Sequence, residues 1–138
     1  MRKTDMARAA LISLALLAAV GPAVAADAPG KVAILQGLDK TTARVTKFPA
    51  PIGQAVSFGT LQITVKDCRK RPPEQEPESA AYVDIDEILQ GQGTPKHIFS
   101  GWMFASSPAL NSLEDPVYDV WLLDCKTTDT ASPPVKPG

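Results

Sequence analysis

The chain has 138 residues, 14 of them basic and 15 acidic, a net charge of −1, one histidine and two cysteines. That balance excludes the basic footprint of a nucleic-acid binder. The length is one domain's worth, and a lone histidine argues against a zinc centre, which needs three or four ligands.

Arg2, Lys3 and Arg8 precede an apolar run at residues 11–20, and Ala23-Val24-Ala25 is a small-residue cleavage pattern. These features predict a signal peptide over residues 1–26, cut after Ala25 or Ala26, and hence a periplasmic protein. Gly21-Pro22 stops the apolar run well short of the roughly 20 residues of a membrane span, and no second apolar segment follows. Losing Arg2, Lys3, Arg8 and Asp5 moves the net charge from −1 to −3.

Residues 31–35 read as a first strand, apolar on both faces and so central. Turn residues follow at 37–42, and residues 43–48 form a second strand in a hairpin with the first. Pro49 and Pro51 end it, at an edge or in a loop, because proline has no N–H for a ladder. Residues 54–58 form a short third strand before a turn at Gly59. Residues 61–66 alternate cleanly: Leu61, Ile63 and Val65 face inward while Gln62, Thr64 and Lys66 face water. Strict alternation would leave Cys68 on the wet face. Either a bulge near Asp67 re-aims it, or its bridge lies beyond the strand's end.

Residues 69–78 form a proline-rich loop, basic and then acidic. Residues 80–89 form a strand with Val83 and Ile85 inward and Tyr82, Asp84 and Asp86 outward. A turn at 90–95 leads into a strand at 97–105. Ser107 as cap and Pro108 as first helical residue predict one or two helical turns. Leu110 and Leu113 would share one face of that helix, and Pro116 ends it. Residues 117–124 form the last strand, running up to Cys125.

The expected fold is all-β: a small sandwich or partly open barrel of six or seven short strands with one short helix. It spans residues 27–126, and residues 127–138 read as a disordered tail. The aromatic stretch from Trp102 to Trp121 should make the densest part of the core. In an exported chain the even pair Cys68 and Cys125 predicts a disulfide. Chain entropy credits such a loop with about 4 kcal/mol.

No catalytic motif stands out. His97 begins a strand after a turn, an ordinary place for a polar residue. Asp84 and Asp86 lie about 7 Å apart on one strand face. They could hold calcium or be the solvated acids of an edge strand. A glycosidase pair has similar spacing, but the sequence supplies no aromatic sugar platform around them. Ser106-Ser107 lacks the G-x-S-x-G frame of a nucleophile elbow. The Arg69-Lys70-Arg71 triplet could meet anionic lipid or an acidic partner, though Glu74, Glu76 and Glu78 largely cancel it. Trp102 and Phe104 share a strand face and Met103 takes the other, so both faces are apolar. Core packing and a partner interface both account for that, with core packing favoured. The reading is a non-enzymatic binding or accessory domain without a cofactor. Its candidate contacts are Trp102, Phe104, Leu110, Leu113, Pro72 and Pro73. A small-ligand or calcium module using Asp84 and Asp86 is the alternative, and an undescribed hydrolase is a third.

The run from Phe99 to Leu110 through Gly101-Trp102-Met103-Phe104-Ala105-Ser106-Ser107-Pro108, with Pro116-Val117-Tyr118-Asp119-Val120-Trp121, resembles a known family. So do residues 38–45, Arg71-Pro72-Pro73 beside Cys68, and Asp86-Glu87. The family is that of small exported alphaproteobacterial proteins catalogued as a domain of unknown function, and the resemblance covers Val32 to Cys125. It implies no catalytic residues. Its members' genes often lie beside that of a small accessory subunit of the proton-pumping NADH:ubiquinone oxidoreductase. The resemblance therefore implies a protein partner at the periplasmic face of a respiratory inner-membrane complex.

Overall fold

A computed structural model describes residues 21, 26–91 and 93–128. Most of the expected signal peptide, and the tail after Thr128, lie outside the described residues. The strands are β1 (Ala28–Pro29), β2 (Val32–Asp39), β3 (Arg44–Pro51), β4 (Ala55–Phe58), β5 (Leu61–Lys70), β6 (Ser79–Glu87), β7 (Lys96–Phe104), β8 (Leu113–Glu114) and β9 (Tyr118–Lys126). They form two antiparallel sheets. One runs β1-β5-β6-β7 with β4 also on β5, and the other runs β3-β2-β9-β8. This is the expected all-β sandwich, with seven principal strands and two of two residues.

The inner faces follow the period of two. Leu61, Ile63 and Val65 of β5 meet Val83 and Ile85 of β6, Met103 of β7, Leu35 of β2, and Val120 and Leu122 of β9, all essentially inaccessible to solvent. The tryptophans do not join them, contrary to the expected aromatic core. Trp102 has the opposite parity to Met103 and is 38% exposed. Trp121 alternates with Val120 and Leu122 and is half-buried.

Strand β3 is an edge, as its prolines require, but Pro49 and Pro51 do not end it. They pair with Ile34 and Val32. The N–H of Ile52 donates to the Lys31 carbonyl at 3.0 Å, so even-numbered positions aim their N–H at β2. Pro49 and Pro51 occupy the odd positions, where a missing N–H faces the open edge.

The Cys68 conflict resolves through a bulge, and the same device recurs at Cys125. The β5–β6 register shifts between Val65 and Asp67. The β2–β9 register shifts opposite Leu123, where Ile34 pairs with Asp124 and Leu35 with Leu122. Each extra residue reverses the alternation, so Val65 and Cys68 face inward together, as do Leu122 and Cys125. Each cysteine follows an aspartate whose carboxylate accepts the cysteine N–H. Both contacts, Cys68 N to Asp67 Oδ1 and Cys125 N to Asp124 Oδ1, are 2.8 Å. Each cysteine also precedes a cation that pairs back, Arg69 to Asp67 at 3.0 Å and Lys126 to Asp124 at 3.2 Å. The Cys68–Cys125 disulfide joins the two sheets across a Cα separation of 5.9 Å. Gly30 passes over it. A Cβ there would lie 3.1 and 3.2 Å from the Cβ atoms of the two cysteines.

The opposite end is aromatic. The Phe58 ring lies on Gly37, so close that an added Cβ would be 2.5 Å from it. Gly37 therefore stays in β2, and the expected turn at 37–42 narrows to residues 40–43. Phe48 stacks on Phe58 and Tyr118 meets it edge-on, both at 5.4 Å.

The expected helix is a three-residue 3-10 turn, Pro108–Leu110, and Ser107 makes no side-chain cap bond to it. Leu110 and Leu113 do not share a face. Leu110 is 74% exposed, while Leu113 has left the turn, pairs in β8 with Val120 and is 5% exposed.

Candidate functional site

At the disulfide end, the loop between β5 and β6, the turn after β7 and the end of β9 enclose a cleft of about 730 Å³. Pro72, Pro73, Pro77, Ala105 and Leu123 give it apolar walls. A recess of about 320 Å³ is lined by Phe104, Ser107 and Leu110, and shares Arg71 and Glu78 with the larger cleft. Together they form a groove from Leu123 past Arg71 and Glu78 to Leu110. Its volume is in the range of ligand sites.

Two acids of this groove, Glu78 and Asp124, are already satisfied. Burial pushes the Glu78 carboxyl up, but hydrogen bonds from the Ser106 hydroxyl and N–H and the Ser79 N–H, with the nearby Arg71 charge, bring it below the usual range. Asp124 behaves alike: burial is outweighed by hydrogen bonds from Lys70 and Lys126, and its carboxyl is also lowered. Lys70 Nζ lies 3.0 Å from Asp124 Oδ1, and the buried Ser79 hydroxyl donates to the same oxygen at 3.2 Å. The polar groups hold one another and leave the walls apolar.

Four of the contacts expected from sequence meet here. Pro72 and Pro73 line the cleft, and Phe104 and Leu110 line the recess. Pro72 is buried and serves as wall, while Pro73 is exposed. Leu113 is corrected: its place in the core beside Val120 leaves no surface to offer. Trp102 lines neither hollow. It stands on the outer face of the first sheet, directly opposite Tyr82, with ring centroids 5.7 Å apart and planes at 75°.

That outer face also gathers the polar residues. The β6–β7 register shifts at Ile98, between the pairs Ile85–Phe99 and Asp86–His97. His97 and Ser100 therefore share a face although three residues apart. His97 Nδ1 is 2.8 Å from Asp86 Oδ1, and Nε2 is 2.7 Å from Ser100 Oγ. Ser100 Oγ donates to Asp84 Oδ1 at 2.5 Å. Ser100 has one hydrogen. It gives that hydrogen to Asp84. A serine nucleophile would instead give that hydrogen to the ring. The array lies on an open sheet face, away from both hollows. Asp84 also has Lys66 at 3.9 Å. Among the described residues, no three or more His, Cys, Asp or Glu side chains are grouped to hold a metal ion. Sequence reasoning passed over Ser100 and Tyr82, because unbroken alternation puts Ser100 on the face opposite His97.

The model of a family described as an uncharacterized protein conserved in bacteria (DUF2155) matches residues 33–125. The chain belongs to this family. The match begins and ends on partners in the ladder, Ala33 and Cys125. An uncharacterized protein of Rickettsia prowazekii (strain Madrid E) is 28% identical over 88 residues, covering 64% of this chain and 56% of that protein. The chain thus spans little more than half of that relative. No solved structure matches. The resemblance read around Trp102 holds at the level of the family, and this relative is alphaproteobacterial.

Proposed function

We propose that this chain is a non-catalytic accessory domain that holds a segment of a partner protein in the groove at its disulfide end. One observation carries this reading. Pro73 and the Phe104–Leu110 segment, distant in sequence, converge on adjoining apolar hollows in which Lys70 is paired with Asp124 and Glu78 is held by Ser106. Such walls gain most from apolar side chains. Phe104 and the 74% exposed Leu110 are the anchors. With export to the periplasm, the partner is a component at the periplasmic face of a respiratory inner-membrane complex. Affinity capture from detergent-solubilised membranes tests this. The wild-type chain should recover a membrane-complex subunit that the F104A/L110A double variant fails to recover. Recovery of the bait alone, or of the same proteins by both forms, overturns it.

A further inference from the structure

The outer face of the first sheet is a different surface, and its chemistry differs from that of the groove. We propose that it binds a neutral saccharide chain, with Tyr82 and Trp102 as the stacking platform and Asp84, Ser100 and Asp67 as hydrogen-bonding flanks.

Three observations carry this. First, Tyr82 and Trp102 are cross-strand neighbours at 75°, so one ring stands edge-on to the other and the pair makes a corner. Trp102 is 38% exposed on this outer face, so the β6–β7 pairing supplies beside Asp84 the aromatic platform that the sequence reading found lacking. The negative ring faces suit the weakly positive C–H faces of a pyranose. Second, polar groups flank the rings on both sides. Asp67 lies opposite Tyr82 on β5, and the chain Asp84–Ser100–His97–Asp86 runs away along β6 and β7. From Tyr82 to Asp86 the strand advances about 13 Å, longer than one sugar ring, so the surface suits an oligomer. Third, two of the carboxylates on the face are paired with cations, Asp67 with Arg69 and Asp84 with Lys66, and Asp86 is hydrogen-bonded to His97. Little net field remains to draw an ion. The acceptor oxygens of three carboxylates favour a ligand rich in donors, which the hydroxyls of a sugar supply.

Calorimetric titration of the chain with cellotetraose and with chitotetraose tests the proposal. At least one should bind with a dissociation constant of roughly 1 mM or lower. W102A should weaken it at least tenfold. S100A removes only a hydroxyl and so keeps the test independent of folding, and it should weaken binding several-fold. F104A/L110A, which strips the groove, should bind saccharide like wild type, so the two surfaces fail separately. No heat from either oligosaccharide at millimolar concentration overturns the proposal. So does W102A or S100A binding as well as wild type, or loss of binding in F104A/L110A.

Discussion

At one end of the sandwich a disulfide, a glycine passing over it and a four-way hydrogen-bonded Asp124 tie the sheets together. At the other, Phe58 and Tyr118 lie on Gly37 and Gly59 with Phe48 stacked on Phe58, and beside them Lys40 pairs with Asp119 at 2.7 Å, with no covalent tie. The first end is directional: its groups are held by particular partners at fixed distances. The second works by area, with rings filling space that glycines leave free. A groove lies at the directional end. There the polar groups are locked to one another, and a loop can stand away from the core without leaving charges unmet. The aromatic end has no disulfide and closes on its own rings.

Removing the disulfide separates the two ends most sharply. A C68A/C125A double variant should lose about 4 kcal/mol by the chain-entropy account. Chemical denaturation with and without reductant checks it, and reductant should shift only the wild type. Phe58→Ala comes next. Stripping the ring from Gly37 should cost about 3 kcal/mol, at the low end for phenylalanine because Phe58 is only half-buried, and reductant should not change that loss. The two losses should add, since the sites share no partner.

Acid acts on the directional end. The carboxyls of Asp124 and Glu78 are lowered in the folded chain. Their stabilisation is complete above the ordinary values of 3.8 and 4.5, and is lost as pH falls through the lower folded values. Asp124→Asn should cost about 1 kcal/mol at neutral pH and flatten the acid limb of a stability–pH curve. An unchanged acid limb would mean that Asp124 does not tie this end. The smallest effect is at the hairpin between β2 and β3, where Ala43 holds φ at 56°. Ala43→Gly relieves the left-handed strain of about 1 kcal/mol and gives back part of it in unfolded-chain entropy. A gain of a few tenths of a kcal/mol in urea unfolding is expected.

Most of the strands were legible because period-two burial is a local property. Leu61, Ile63 and Val65 announce their face, and so do Val83 and Ile85. Where the period breaks was legible only near Asp67, because Cys68 would otherwise face water. An inserted residue such as Ile98 or Leu123 leaves no compositional mark, yet it moves every later side chain to the other face. That is why Ser100 was missed as a neighbour of His97. Leu113 was misplaced for a related reason: leucines three apart suit a helix, and only the pairing with Val120 shows a strand. The groove was half legible. Its proline loop and Phe104 could be named, but their meeting depends on a fold that brings Glu78 and Ser106 together. One signal lay in plain view, the twice-written triplet Asp-Cys-basic at Asp67-Cys68-Arg69 and Asp124-Cys125-Lys126.

Those twin triplets bear on how the disulfide is placed. The aspartates hold the cysteine amides and the extra residues set their direction, so the backbone itself aims the two sulfurs at each other. Shortening one strand, by deleting Lys66, would swing a thiol outward into solvent and leave two copies of the chain able to cross-link to each other.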